Sequence, residues 1–224
     1  MSAPRDGLAA HRGLGLDWEA PPVELEPWLD AAGEVEFQET EAQELYLTEI
    51  DLPAHVGDEG RRERYLRALG EIRSLADAGA PLGWAELSAI QGRVLGLRGP
   101  APLRGGDAFA RGGQEVYPWS PGLAEEFAAR VGYALGNPVL EGVRRYLDLI
   151  FFHPFDDGNA RAARLSLEFA LRAGALPSPP LAPFVRLPKP AGSAERAWDL
   201  ALLICRGVLK GAGVCPGSLG LEER

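Results

Sequence analysis

Lysine is almost missing from this chain: Lys189 and Lys210 are the only two, so the 23 basic residues are nearly all arginine. Cysteine is scarce too. Cys205 and Cys215 have no neighbouring cluster of Cys or His, which excludes a structural zinc site and leaves inert thiols in a reducing compartment as the expectation. No apolar run reaches membrane-spanning length. The stretch Met1 to Gly13 carries charges without an apolar centre, unlike a secretory signal, so a cytoplasmic location is expected. Positive charge is also short overall. A formal net charge of -9 argues against a nucleic-acid or anionic-membrane partner, since such surfaces need broad basic stripes.

What the chain does have is enough apolar material for a core, 46% of 224 residues, in a length that suits one domain with an elaborated end. Residues 1–55 read as an N-terminal extension, 56–212 as the main domain and 213–224 as a loose tail. Trp18 and Trp28 are candidate anchors of the extension onto the core. From Glu34 to Leu52 two readings stay open: Val35 and Phe37 alternate like a short strand, and Thr40 through Ile50 suits a capped helix. Apolar spacing predicts helices over Arg61 to Ala78, Trp84 to Leu95, Leu123 to Leu135, Val139 to Phe152, Asn159 to Arg172 and Ser193 to Lys210. Arg144 and Arg145 fall on what reads as the exposed face of the fourth. Residues 97–122 hold six glycines and four prolines, and predict a loop or small hairpin turning at Gly112-Gly113. Pro177 to Pro190 reads as an extended connection.

Chemistry concentrates in one segment, His153-Pro154-Phe155-Asp156-Asp157-Gly158-Asn159-Ala160-Arg161-Ala162-Ala163-Arg164. His153 ends one helix, and an imidazole with an unperturbed pKa of about 6.5 is largely neutral and able to accept a proton. Gly158 and Asn159 open the next helix, whose first backbone N–H groups lack intrahelical partners and form an anion site. Arg161 and Arg164 lie three apart, share a face, and can grip phosphate oxygens bidentately. Asp157 is a hard oxygen ligand suited to Mg²⁺ beside phosphates. Phe155 is expected to plug into the core. A base facing an anion cradle and a metal carboxylate suits attack of a hydroxyl on a phosphate ester.

The same segment resembles the Fic-family pattern His-Pro-Phe-x-(Asp/Glu)-Gly-Asn-Gly-Arg-x-x-Arg and matches every specified position but one. Ala160 stands where glycine is usual. The resemblance implies an all-α, Fic-like helical bundle with a small β-hairpin flap over a helix-loop-helix active site, with residues 56–212 as the catalytic domain. It implies His153 as general base, Asp157 on Mg²⁺, and Gly158, Asn159 and Ala160 around the nucleotide phosphates. Arg161 and Arg164 would bind the outer phosphates. The flap would run from about Arg104 to Trp119, with Arg104, Val116 and Tyr117 as candidate contacts to a target peptide. Arg104 and Arg111 read equally as solvated loop charges.

The activity so implied is transfer of AMP from ATP to a Ser, Thr or Tyr hydroxyl of a protein. The methyl of Ala160 opens an alternative, transfer of another phosphate-linked group such as phosphoryl or a different nucleotide. A third reading is a non-catalytic nucleotide-binding module. If position 160 is simply the first helical turn, Ala is the better helix former. An antitoxin or a second copy of the chain is a candidate partner. Two stretches carry part of the family's inhibitory-helix pattern, Thr40 to Glu44 and Ser218 to Glu222.

Overall fold

The computed structural model describes residues 16–110, 115–187 and 193–221. The Gly112-Gly113 turn, Arg111, Lys189 and Glu222 lie outside them. Helix α1 (Glu26–Gly33) carries Pro27 in its first turn, where a missing N–H costs no hydrogen bond. Then come α2 (Ala42–Tyr46), a π-helical turn (Leu47–Asp51) and a 3-10 turn (Pro53–His55). The predicted helices follow as α3 (Arg61–Asp77) and α4 (Trp84–Leu95). Strands β1 (Ala108–Ala110) and β2 (Glu115–Tyr117) pair antiparallel, with Ala108 opposite Tyr117 and Phe109 opposite Val116. Helices α5 (Leu123–Gly132), α6 (Pro138–Phe152), α7 (Asn159–Ala173), α8 (Leu181–Arg186) and α9 (Ala194–Gly211) complete the order.

The centre is the α6–α7 pair, the most closely packed elements among the described residues. Asn137 starts α6 by accepting the N–H groups of Val139 and Leu140 at 3.0 and 3.2 Å. Val143, Tyr146, Leu147 and Phe152 of α6 are buried against Leu165, Leu167 and Leu171 of α7. Each such side chain contributes about 1.5–3 kcal/mol of burial. Gly142 permits the approach, because a Cβ there would sit 2.7 Å from Leu167 Cδ1. Helix α3 covers the outer side of α7, and α9 packs on α6 and α1. Phe155 is fully buried, its ring stacked 5.4 Å from that of Trp84, which also meets Phe127 edge-on at 5.7 Å. Trp18 reaches Trp198 at 5.3 Å, and Trp28 is buried beneath the Arg206 guanidinium. Both therefore anchor the N-terminal residues as their sequence suggested.

Four expectations need correction. Arg144 and Arg145 are buried rather than outward. They survive burial because their partners are charged and on the same helix. Glu141 accepts from Arg144 at 3.0 Å and from Arg145, and Asp148 accepts from Arg144 at 2.8 Å. The remaining donors bind carbonyls of Arg130, Tyr133 and Leu82, which staples the flanking loops to α6. The 177–190 connection contains a helix, α8, entered through Pro179-Pro180 and sealed by the buried Leu181 and Phe184. Residues 34–39 form no strand; the helical reading of the next segment holds, but Thr40 does not cap it. Its hydroxyl donates to the Ser178 carbonyl at 3.0 Å instead. Finally α5 stops at Gly132, three residues early, where Tyr133 turns extended. Among the described residues no helix is long and apolar enough to cross a membrane.

Candidate active site

Helix α6 ends at His153 because that residue turns left-handed, φ 47° and ψ 55°. For a residue with a Cβ this conformation costs about 1–2 kcal/mol, so the surroundings must hold it. The holding contacts are specific. Its ring Nδ1 lies 3.0 Å from the Ile150 carbonyl, a position that makes Nδ1 the N–H donor and leaves Nε2 with a free lone pair. Its own carbonyl accepts from Arg104 Nε at 2.7 Å. The Tyr117 ring of the flap stacks on the imidazole with centroids 4.0 Å apart and planes 17° apart. Burial pushes the imidazole below its ordinary pKa. The Ile150 carbonyl works against that shift, Arg104 reinforces it, and Glu115 and Asp157 oppose it. The ring is thus neutral near pH 7 and presents one basic nitrogen.

The loop beyond is held by amides. Asn159 accepts the Phe155 N–H at 3.0 Å and donates to the Phe155 carbonyl at 2.7 Å, so in this state its side chain closes the loop rather than reaching outward. Gly158 has φ 75° and stands directly before α7. Glycine is required there twice over, by the positive φ and by Gln91, whose Nε2 would lie 2.5 Å from an added Cβ. Gln91 donates to the Asp157 carbonyl at 2.8 Å, which orients the Asp157–Gly158 peptide. Nothing in the sequence marked Gln91 beyond its being an amide among the apolar residues Leu87, Ile90 and Val94. Its Oε1 is buried without a hydrogen-bond partner.

Ala160 occupies the first turn of α7, exposed and without a positive φ, so the residue is an ordinary helical alanine. Asp157 is the exposed carboxylate of the loop, its side chain 78% accessible. One oxygen accepts the Gly158 N–H at 2.6 Å and the other meets Arg161 Nη2 at 3.1 Å. No group of three or more His, Cys, Asp or Glu gathers as a metal cage among the described residues. Magnesium does not need one. It keeps several waters and is held through one or two carboxylates plus substrate phosphates, which an exposed Asp157 at a helix N-terminus fits.

The two arginines do not stand open. Arg161 is buried and bridges Asp157 and, at 3.4 Å, the Val94 carbonyl. Arg164 is buried between the Tyr46 and Tyr65 rings, 4.4 and 5.6 Å from its carbon, and donates to Asp51 at 3.3 Å. Asp51 is also gripped by Arg61 Nε at 2.6 Å. Burial alone would raise the Asp51 pKa. The Arg61 hydrogen bond and the charges of Arg164 and Arg61 outweigh it and hold the carboxyl below the usual range. The N-terminal residue facing the second motif arginine is therefore Asp51. Glu44 points elsewhere, to Arg73 at 2.8 Å. Ser218 sits in a 3-10 turn whose hydroxyl donates to the Cys215 carbonyl at 2.6 Å.

The flap candidates divide. Tyr117 is buried against the His153 imidazole and Val116 is half-buried on the same strand. Arg104 is no solvated charge. It is 1% exposed and turned toward the protein's own carbonyls, because those of Phe152 and His153 are left without helical partners where α6 ends. A surface groove of about 630 Å³ lies elsewhere, between α1 and the segment after α9, and contains none of these residues. Volume does not mark the chemistry here.

A solved structure with a similar backbone fold is that of a Fic domain containing signaling protein from Bacteroides thetaiotaomicron. The alignment covers 97% of this chain and 98% of that one, with a TM-score of 0.51 at 17% identity. The chain has the Fic fold. No family model matches the sequence, and no curated protein matches it. At 17% identity the likeness concerns the backbone. The all-α bundle with a two-stranded flap beside the α6–loop–α7 unit is the Fic fold as expected from the motif.

Proposed function

We propose that the protein transfers AMP from ATP to a serine, threonine or tyrosine hydroxyl of a target protein, with His153 as general base. The observation that carries this reading is the imidazole: neutral, fixed through Nδ1, with Nε2 unengaged, in the loop that leads into the N-terminus of α7. The target hydroxyl oxygen attacks the α-phosphorus, its proton passes to Nε2, and the bond to the departing pyrophosphate breaks. A base so placed contributes on the order of 10²–10⁴-fold. The free N–H groups opening α7, Ala160 among them, face charge on the phosphate oxygens. Asp157 would hold Mg²⁺, which supplies neutralisation of the phosphate charge. Arg161 and Arg164 suit the outer phosphates once Asp157 and Asp51 yield them.

A second reading is favoured by those same two ion pairs together with Ala160. With Arg164 engaged by Asp51 and a methyl in the first turn of α7, a donor that asks less of the outer-phosphate site fits the observed state. The transferred group would then be phosphoryl or another nucleotide. Intact-mass measurement after incubation with ATP and Mg²⁺ separates these, since the mass added names the group. An addition that persists in His153→Ala would end the role given to His153.

A further inference from the structure

We propose that Arg104 is a positioning residue for this transfer, joining the His153 turn and the flap into one unit so that base and strand edge keep a fixed relation. This rests on His153 being the base. Three guanidinium nitrogens of one buried side chain reach three separate segments. Nε donates to the His153 carbonyl at 2.7 Å, and Nη2 donates to the Phe152 carbonyl at 3.3 Å and the Pro118 carbonyl at 2.9 Å. Nη1 donates to the Gly106 carbonyl. The Arg104 backbone N–H adds a bond to the Pro154 carbonyl at 2.9 Å. Phe152, His153 and Pro154 are the end of α6 and its exit, whereas Gly106 and Pro118 stand just outside β1 and β2.

The chemistry of the acceptors explains why the residue is arginine. These hydrogen bonds all end on main-chain carbonyls, and two of those carbonyls belong to the negative end of a helix dipole. Only a rigid fork of five donors spans them together; an ammonium has three donors at one point. The charge itself is balanced at longer range by Asp107 and Asp156. The joint also explains the left-handed His153, whose carbonyl is turned toward the guanidinium, and the Tyr117 ring lying parallel on the imidazole. Other groups face that ring: Glu115 and Tyr117 from β2, Asp157 from the following loop, and the Ile150 carbonyl from α6.

The test titrates His153 by NMR in the full chain without nucleotide, with His153→Ala to assign its signal among the three histidines. In Arg104→Met the signal titrates higher, toward the ordinary histidine value, and the Tyr117–His153 ring contact weakens. In Arg104→Lys the charge stays, so the titration moves less, while kcat for transfer falls on the order of 10²-fold with the nucleotide KM unchanged. If Arg104→Met does not fold, Arg104→Lys decides alone through its ring contact and its kcat. A purely structural arginine would lower the melting temperature and leave titration, ring contact and kcat of the folded protein unaltered. That result overturns the proposal. Because titration and ring contact are read without substrate, a failure of the transfer reading leaves them intact and is told apart.

Discussion

Replacing Asp51 with asparagine removes the one carboxylate between two buried guanidinium groups and leaves the shape unchanged. Asp51, Arg61 and Arg164 side chains are 7%, 8% and 3% accessible, with closest approaches of 2.6 and 3.3 Å. At 3.3 Å and an effective dielectric near 20, Coulomb's law gives roughly 5 kcal/mol of gross attraction for the Arg164 pair. Desolvation offsets much of that while the pair is intact. Removing Asp51 strands Arg164 instead, while Arg61 keeps Asp58 at 4.0 Å, and loss of one partner of a buried pair typically costs about 3–5 kcal/mol. For a domain of this size the melting temperature should fall by about 10 °C. The asparagine also frees Arg164 for an anion. At a fixed ATP and Mg²⁺ concentration about 100 times the variant's Kd, binding restores about 2.7 kcal/mol, and the wild type, which binds more weakly while Arg164 stays engaged by Asp51, gains less. The pH dependence has a definite sign. A depressed Asp51 stabilises fully above the ordinary carboxylate range and loses that contribution as pH falls through its lowered value, so Asp51→Asn flattens the acid side of the stability curve. Differential scanning fluorimetry across pH, with and without nucleotide, reads all of this. A variant that melts with the wild type and shows the same nucleotide shift would refute the reasoning.

His153→Ala should abolish label transfer while leaving nucleotide binding measurable by calorimetry. Wild-type kcat/KM should stay level from neutral pH to below the usual histidine pKa and fall only on further acidification, because burial lowers the imidazole; a drop setting in above that value contradicts the assigned environment. Ala160→Gly should raise nucleotidyl transfer if the methyl narrows the site, at about 1 kcal/mol of helix stability. Gly158→Ala should lose more than the roughly 1–2 kcal/mol of a left-handed alanine, since Gln91 must also move; urea unfolding of Gly158→Ala in the Gln91→Ala background should recover the excess. Glu44→Gly should leave transfer unchanged and weaken stability alone, as Glu44 engages Arg73 rather than the motif.

The core helices were legible because apolar residues recurring at helical spacing over ten or more positions seldom arise except where one helix face is buried. Helices α3, α4, α6 and α7 accordingly begin and end within a residue or two of their predicted bounds. The loop motif was legible on other grounds, since its residue types are consecutive and need no tertiary knowledge. Arginine was where the sequence misled. A guanidinium on a helix looks the same whether it faces water or a buried carboxylate, so Arg144 and Arg145 read as exposed; Arg104, open between a target contact and a solvated loop charge, turns inward to main-chain carbonyls instead. For Arg144 and Arg145 a signal existed: Glu141 and Asp148 lie three or four residues away on the same helix. The Asp51–Arg164 pair spans 113 positions, and no local pattern encodes it. Likewise α8 hid among prolines, because a proline in a first turn is permitted and only the burial of Leu181 and Phe184 makes the turn worth forming.

Besides their tryptophan contacts, the N-terminal residues grip the bundle through two unlike sets of ion pairs. Glu39 holds Arg172 and Glu44 holds Arg73 near the surface, where dissolved ions weaken both. Asp51 sits further along the chain, sheltered from the same ions. Raising ionic strength should therefore loosen the first clasp while the second stays shut, and of the two a partner peeling this segment away would find the one beside Arg164 the harder to open.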